Sequence, residues 1–203
     1  MDFTALLHVG VIVVTSSISP SQLQEFRIEA SRVWQPYGVH LTWIDASSSY
    51  SDTEHTGQPV DFIVQLSTDD RDLARGGVID DTALGRVRLG AAPVRTISLA
   101  LVPVRRMILE STLAGVPVHM WSVPVREHMI GRGLGRVFAH ELGHVLLDLP
   151  AHDRTGLMRP AFTTADLVMP GREHMAISAQ LVQRLRMRLA TLRAVAVAHA
   201  AAP

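Results

Sequence analysis

Residues 140–144 read His-Glu-Leu-Gly-His, and this pentapeptide constrains the fold more than any other stretch of the chain. Side chains four residues apart on an α-helix lie one above the other on the same face, so His140 and His144 can present imidazole nitrogens to one point. Glu141 is rotated by about 100° around such a helix. Its carboxylate can therefore contact a water molecule bound to a metal ion at that point more easily than it can bind the ion itself. The spacing therefore predicts a helix whose two histidines bind one metal ion.

The composition limits how such an ion can be bound. The chain contains no cysteine, which excludes disulfides, iron–sulfur clusters and thiolate zinc sites. Two helical histidines bind zinc weakly, so a catalytic site needs a third protein ligand and an open fourth position. His152 follows His144 by eight residues and is the nearest candidate, and Asp153 and Glu173 are the alternatives that the sequence leaves open. We expect one Zn²⁺ ion, bound by His140, His144 and His152.

The remaining sequence predicts a sheet and two further helices around this motif. Five segments have the alternating or β-branched pattern of strands: 6–16, 39–45, 60–67, 96–104 and 116–125. Apolar residues recur at helical spacing in 19–38, in the stretch that carries the motif and in 178–200, and Ser19 and Ser178 are the N-caps of the outer two helices. We expect an α+β fold in a single domain, residues 1–200, with one mixed, twisted sheet, a long N-terminal helix, an active-site helix and a C-terminal helix.

Three glycines precede the motif in the stretch "GRGLGR", residues 131–136. Their spacing resembles that of a phosphate-binding loop, but no strand–loop–helix unit surrounds them and the Lys-Ser/Thr of a P-loop is missing. We therefore expect these glycines to allow another element to approach closely at the entry to the active-site helix.

The motif and the residues after it resemble the metzincins, which are zinc peptidases. Their long motif is His-Glu-x-x-His-x-x-Gly-x-x-His, followed by a tight turn that contains methionine. In this chain Leu147 stands where the glycine would be, and Pro150 stands where the third histidine would be. Without the glycine the helix can continue to Asp148 or Leu149 before Pro150 ends it, and a later turn requires a later histidine, which is His152.

The resemblance continues beyond the motif. The segment "AHELGHVLL…AHDRTGLMRPAF" is similar to small bacterial proteins that share His-Glu-x-x-His, a histidine eight residues later and Gly-Leu/Ile-Met-Arg. This resemblance implies a minimal metzincin-like (zincin) domain and a zinc metallopeptidase, a hydrolase. It also implies that Met158 lies beneath the zinc and packs there without binding it.

The residues predict a mechanism of peptide-bond hydrolysis. Zinc would lower the pKa of its bound water toward neutrality and polarise the scissile carbonyl. Glu141 would accept a proton from that water and then donate it to the leaving amine. A peptide or protein substrate would lie extended along an edge strand, either 96–104 or 116–125, by β-augmentation.

Two other functions are consistent with the same residues. The first is a non-catalytic zinc-binding or interaction module, although an intact Glu141 argues against it because a structural site has no use for a base. The second is hydrolysis of a non-peptide amide or ester at the same site. The sequence does not distinguish peptide from non-peptide substrates.

Charge and hydropathy favour no polyanionic or lipid partner. The chain has 19 basic and 19 acidic residues, so no excess of positive charge indicates binding to nucleic acid. No stretch approaches about 18 consecutive apolar residues, so we expect no membrane span, and the N-terminal stretch lacks the pattern of a signal peptide. We expect a monomer, and the compartment stays open. All the basic residues are arginine, to which the sequence alone attaches no function.

Overall fold

The computed structural model describes residues 7–14, 18–44, 61–67, 84–87 and 95–200. Its strands are β1 (Leu7–Val14), β2 (Val39–Ile44), β3 (Phe62–Ser67), β4 (Gly85–Val87), β5 (Arg95–Ala100) and the short pair β6 (Thr112–Leu113) and β7 (Val116–Pro117). Its helices are α1 (Pro20–Trp34), α2 (Leu101–Leu109), α3 (Val123–Leu147), α4 (Thr164–Val168) and α5 (Ala179–Ala200). Positions 6, 15, 16, 45 and 60, at the ends of predicted strands, lie outside the described residues.

Strands β1 to β5 form one mixed sheet in the order β2-β1-β3-β5-β4. The first four of these strands are parallel, and β4 alone runs antiparallel to its neighbour β5. Val11, Val64 and Ile97 on the three inner strands are fully buried, which explains why their segments are rich in β-branched residues. The predicted α+β fold with a mixed sheet is confirmed.

Helix α1 connects β1 to β2 and begins as the sequence predicts. Ser19 is the N-cap, its side chain accepts a hydrogen bond from the amide of Gln22, and the Gln22 side chain completes a capping box. Phe26, Ala30 and Trp34 on one face of α1 are fully buried. This face packs against α3, which carries the His-Glu-Leu-Gly-His sequence.

Helix α3 is longer than the sequence suggested, with 25 residues. The glycine-rich stretch 131–136 lies inside it, and a Cβ atom built at Gly131 would be 2.5 Å from the carbonyl oxygen of Gln22 on α1. At Gly135 the corresponding distance to the Phe26 carbonyl oxygen is 2.8 Å. The predicted close approach is therefore present, but it joins two helices along the middle of α3 and not at its entry.

Two predicted strands are wrong in part. Residues 101–104 belong to α2 and not to a strand, and β5 has a strand on each side, so segment 96–104 is not an edge. Segment 116–125 contains the two-residue strand β7, a single 3₁₀ turn and the first residues of α3. Within the described part of the sheet, the edges are β2 and β4.

The C-terminal helix α5 agrees with the prediction for residues 178–200. Ser178 accepts a hydrogen bond from the amide of Leu181, and Leu181, Leu185 and Leu189 are buried against the core. No helix in the described residues has both the length and the hydropathy that crossing a membrane requires.

Candidate metal centre

Three histidines converge at the C-terminal part of α3. One nitrogen atom from each of His140, His144 and His152 lies within 4.8 Å of the other two. The Nε2 atoms of His140 and His144 are 3.1 Å apart, and the His152 ring stacks on His140 with ring centroids 5.2 Å apart. Among the described residues, no other group of three or more histidines, cysteines or carboxylates could hold a metal ion.

The donor set fits a zinc ion. Two nitrogens that each bind a tetrahedral zinc lie about 3.3 Å apart, close to the separation of the two helix imidazoles. His140 and His144 are buried while His152 is exposed, so the group has one side open to solvent. The arrangement matches three protein ligands with a free position and differs from a closed structural site with four.

Backbone carbonyl groups orient both helix imidazoles. Nδ1 of His140 donates to the carbonyl oxygen of Leu157 over 2.7 Å, and Nδ1 of His144 donates to that of Leu149 over 2.6 Å. Because a carbonyl oxygen can only accept, the ring protons lie on Nδ1, and the lone pair of each Nε2 faces the other histidines. These two carbonyl groups therefore set the tautomer that metal binding requires.

Burial favours the neutral form of His140 and of His152. The pKa of His140 is lowered to about 4, mainly because its surroundings exclude water, and the Leu157 carbonyl opposes this shift. The pKa of His152 is lowered by burial and by the neighbouring His144. Neutral imidazoles can bind a cation without first releasing a proton.

Glu141 is buried beside the edge strand β4. A Cβ atom built at Gly85 would be 2.9 Å from Oε1 of Glu141, so glycine is needed for this approach. Burial raises the pKa of Glu141 to about 8, and the charge of Arg86 and a hydrogen bond from the backbone of Val87 act in the opposite direction. The carboxyl group therefore gains a proton readily, and its protonation depends on the charges that surround it.

A cleft of about 430 Å³ gives access to these groups. His140, Glu141 and His152 lie in its wall together with Leu84 and Gly85, next to and within β4. Further lining residues come from α2 and from the segment after His152: Pro103, Arg106, Met107, Glu110, Pro160, Ala161 and Phe162. The cleft thus brings the histidine cluster, the buried carboxyl group and one sheet edge together.

Met158 is buried against α3 and does not line this cleft. Its side chain is fully buried, and its sulfur atom occupies the space next to Gly143 where a Cβ atom would project. Gly143, between Glu141 and His144, therefore allows the methionine to pack directly against α3.

The structure also decides which of the alternative ligands lies near the helix histidines. Asp153 directs one carboxylate oxygen to the amide of Arg154, at 2.7 Å. Glu173 is exposed in a 3₁₀ turn, and neither acid belongs to the cluster. His152 alone among the three candidates is placed with His140 and His144.

Sequence reasoning missed the residues that support the cluster. Leu149 and Leu157 act through backbone carbonyl groups, for which no side-chain pattern exists. Gly85 lies far from the motif in sequence, and the strand it belongs to has only three residues. The Gly-Leu-Met-Arg stretch was the one sequence feature that pointed to these supporting residues. Its arginine, Arg159, forms hydrogen bonds with Gly156, Asp166 and His174.

Comparison with known proteins supports the fold through a structural similarity at low sequence identity. No protein-family model matches the chain, and no curated protein sequence does so either. The crystal structure of archaemetzincin from Methanopyrus kandleri matches with a TM-score of 0.50 and 14% identity, over 93% of this chain and 98% of that one. The fold is metzincin-like. The predicted fold class is thereby confirmed, and similarity at this identity shows the fold alone.

Proposed function

We propose that this protein is a zinc-dependent metallopeptidase, with His140, His144 and His152 as ligands of one Zn²⁺ ion. The observation that carries this proposal is the convergence of three imidazoles beside a cleft whose wall includes His140, His152 and the buried carboxyl group of Glu141. The metzincin-like fold is consistent with it. Three protein ligands leave a coordination position open, which is typical of catalytic zinc sites.

Zinc in this donor set supplies a Lewis acid that polarises a carbonyl group and acidifies water. The protein residues orient the ligands and exclude water from the site. His140 and His144 are held by Leu157 and Leu149 and need no reorientation to bind the ion. The buried surroundings exclude bulk water and strengthen each electrostatic interaction in the cleft.

Glu141 is the proposed general base. Its raised pKa of about 8 would leave it largely protonated at neutral pH, but a divalent cation nearby favours the carboxylate form. Arg86 and the Val87 backbone act in the same direction as the cation. The carboxylate then accepts a proton from the attacking water and, as the C–N bond breaks, donates it to the leaving amine.

We further propose β4 as the strand along which an extended peptide binds. It pairs with β5 on one side, has no strand on its other side within the described residues, and adjoins the cleft at Gly85. Those of its backbone groups that pair neither with β5 nor with Glu141 can form the hydrogen bonds of an added strand. This proposal replaces segments 96–104 and 116–125, which are not edges of the described sheet.

Zinc content and peptide hydrolysis, measured together, test the proposal. Glu141→Gln should keep about one zinc per chain and lose about 10²–10⁴-fold in kcat on a peptide library. His152→Ala should lose most of its zinc after dialysis, whereas the matched variant Glu173→Gln should retain it. Hydrolysis by Glu141→Gln at the wild-type rate would refute the mechanism. Zinc in every variant without hydrolysis in wild type would instead indicate a non-catalytic module.

A further inference from the structure

We propose that Arg159 and Arg184 are positioning residues for the two helix histidines. Each arginine fixes the backbone turn that supplies a carbonyl acceptor to one imidazole: Arg159 acts on His140 through Leu157, and Arg184 acts on His144 through Leu149. The inference rests on the proposed function insofar as these histidines are taken as zinc ligands. The hydrogen bonds of the two arginines are observed whether or not the histidines bind zinc.

Arg159 ties the Leu157 turn to two other parts of the chain. Its guanidinium donates to the carbonyl oxygen of Gly156 at 3.2 Å, to the carboxylate of Asp166 at 2.9 Å and to the carbonyl oxygen of His174 at 3.1 Å. Asp166 in turn accepts hydrogen bonds from the amide and hydroxyl of Thr163, the N-cap of α4. The turn is therefore fixed to α4 and to the loop before α5.

Arg159 supplies the side-chain hydrogen bonds of this turn, beside a small number of backbone ones. Gly156 has a φ of 74°, and the backbone bonds at the turn run from Leu157 to Ala176 at 3.2 Å, from Arg159 to Gly156 at 3.4 Å and from Asp153 to Met158 at 2.7 Å. The carbonyl of Leu157, between Gly156 and Arg159, points at Nδ1 of His140. Any rotation of this peptide group moves the acceptor and frees the ring.

Arg184 has the equivalent position at the end of α3. It reaches from α5 and donates to the carbonyl oxygens of Leu147 at 2.5 Å and Asp148 at 2.6 Å. Asp148 has a φ of 49°, in the left-handed region that costs a non-glycine residue energy. Besides Arg184, the turn is held by backbone bonds from Asp148 to Val145 and from Leu149 to His144, and Arg188 binds the Asp148 carboxylate at 3.0 Å. The next residue, Leu149, supplies the carbonyl acceptor of His144.

The direction in which zinc affinity changes when an arginine is replaced distinguishes a positioning role from a purely electrostatic one. Removal of a positive charge near a divalent cation should strengthen zinc binding. Loss of orientation of a ligand should weaken it, by about 10–100-fold for groups of this kind. Lysine should not replace Arg159, because one ammonium on a flexible stem cannot match a planar guanidinium that reaches three acceptors.

The experiment measures both consequences in the full chain. The first readout is the hydrogen exchange of the two imidazole Nδ1 protons by NMR in zinc-free protein, assigned with His140→Gln and His144→Gln. Arg159→Gln should accelerate exchange of the His140 proton and leave that of His144 unchanged, and Arg184→Gln should do the reverse. The second readout is zinc affinity in competition with a chromophoric chelator, which should fall by about 10-fold or more in each variant and in Arg159→Lys.

Arg154→Gln is the matched control. Arg154 is exposed in the same segment, so its loss changes the charge near the site without touching either turn. Its zinc affinity should stay within about twofold of wild type or increase. Equal acceleration of both ring protons in either arginine variant, or unchanged or tighter zinc binding, overturns the inference. Failure of wild type to bind zinc or to hydrolyse peptides would overturn the proposed function, whereas the exchange pattern still decides the positioning roles.

Discussion

Gly156 is the residue whose replacement should disturb the turn below His140 most directly. Its φ is 74°, and a Cβ atom there would meet the carbonyl oxygen of Ala176, which is held close because it accepts from the Leu157 amide. We expect Gly156→Ala to destabilise the protein by about 2–4 kcal/mol, the sum of the backbone cost and the steric cost.

Gly115→Ala is the control for that prediction. Gly115 also has a positive φ, 77°, but nothing lies within 4 Å of its Cβ position, so this variant should cost only about 1–2 kcal/mol. Urea unfolding of both variants measures the difference. Equal losses in the two variants would show that the contact with Ala176 contributes nothing.

The spacing of residues 140–152 made His152 the nearest candidate to join His140 and His144, because helix geometry sets the first two and Pro150 sets where the chain can turn, but it left Asp153 and Glu173 open. The acceptors of the two Nδ1 protons could not be predicted in the same way. Leu149 and Leu157 contribute only their carbonyl groups, and any residue has one. The raised pKa of Glu141 depends on burial beside Gly85, a contact between positions far apart in sequence.

At the scale of elements, the packing of α1 on α3 depends on which face of α3 each glycine occupies. Gly131→Ala would push its new methyl group into the Gln22 carbonyl of α1, which is backbone and cannot move alone. We expect a loss of about 1–3 kcal/mol in the free energy of unfolding, even though alanine favours a helix. Gly133→Ala meets only the end of the Ile108 side chain, at 2.8 Å, and should be neutral or stabilise by about 1 kcal/mol. Thermal denaturation of the pair checks this, and the opposite ranking would contradict it.

Each element that the sequence failed to predict has a physical reason of its own. Residues 101–104 include the β-branched Val102 and Val104, which favour a strand, yet Pro103 lies in the first turn of α2, where no amide partner is needed. The N-terminal half of α3 contains three glycines that lower helix propensity, and tertiary packing on α1 overrides that preference. Strand β4 is too short to show alternation. Helices α1 and α5 and strands β2 and β3, whose patterns repeat several times, were predicted nearly to their ends.

At the scale of the whole molecule, one buried ion-pair group joins α1, α3 and the loop before α5. Glu29 is fully buried and accepts from Arg136 at 2.8 Å and from Arg172 at 2.7 Å. Burial by itself would raise the pKa of Glu29, but the hydrogen bonds and charges of the two arginines outweigh it and hold the pKa below 4.5. The carboxylate therefore contributes stability that is fully present above the unfolded pKa and is lost as the pH falls through the folded value.

Glu29→Gln should lower the free energy of unfolding by about 3–5 kcal/mol at neutral pH, because it leaves Arg136 buried without its partner. The difference from wild type should shrink below about pH 4.5, where wild type itself gains the proton. Urea unfolding in EDTA across this range measures both effects without metal. Glu110→Gln, at an exposed position, should show neither. A difference that stays constant or grows on acidification would refute the assignment to Glu29.

The reach of Arg184 from α5 back to the end of α3 has a consequence for biosynthesis. The ribosome produces the chain from its N-terminus, so a nascent polypeptide that ends at residue 178 already contains all three histidines. It still lacks the guanidinium that donates to Leu147 and Asp148. The His144 side of the site gains this support from Arg184 only when α5 has emerged and docked. If His144 binds a metal ion as proposed, a chain that ends before α5 would hold that ion less tightly.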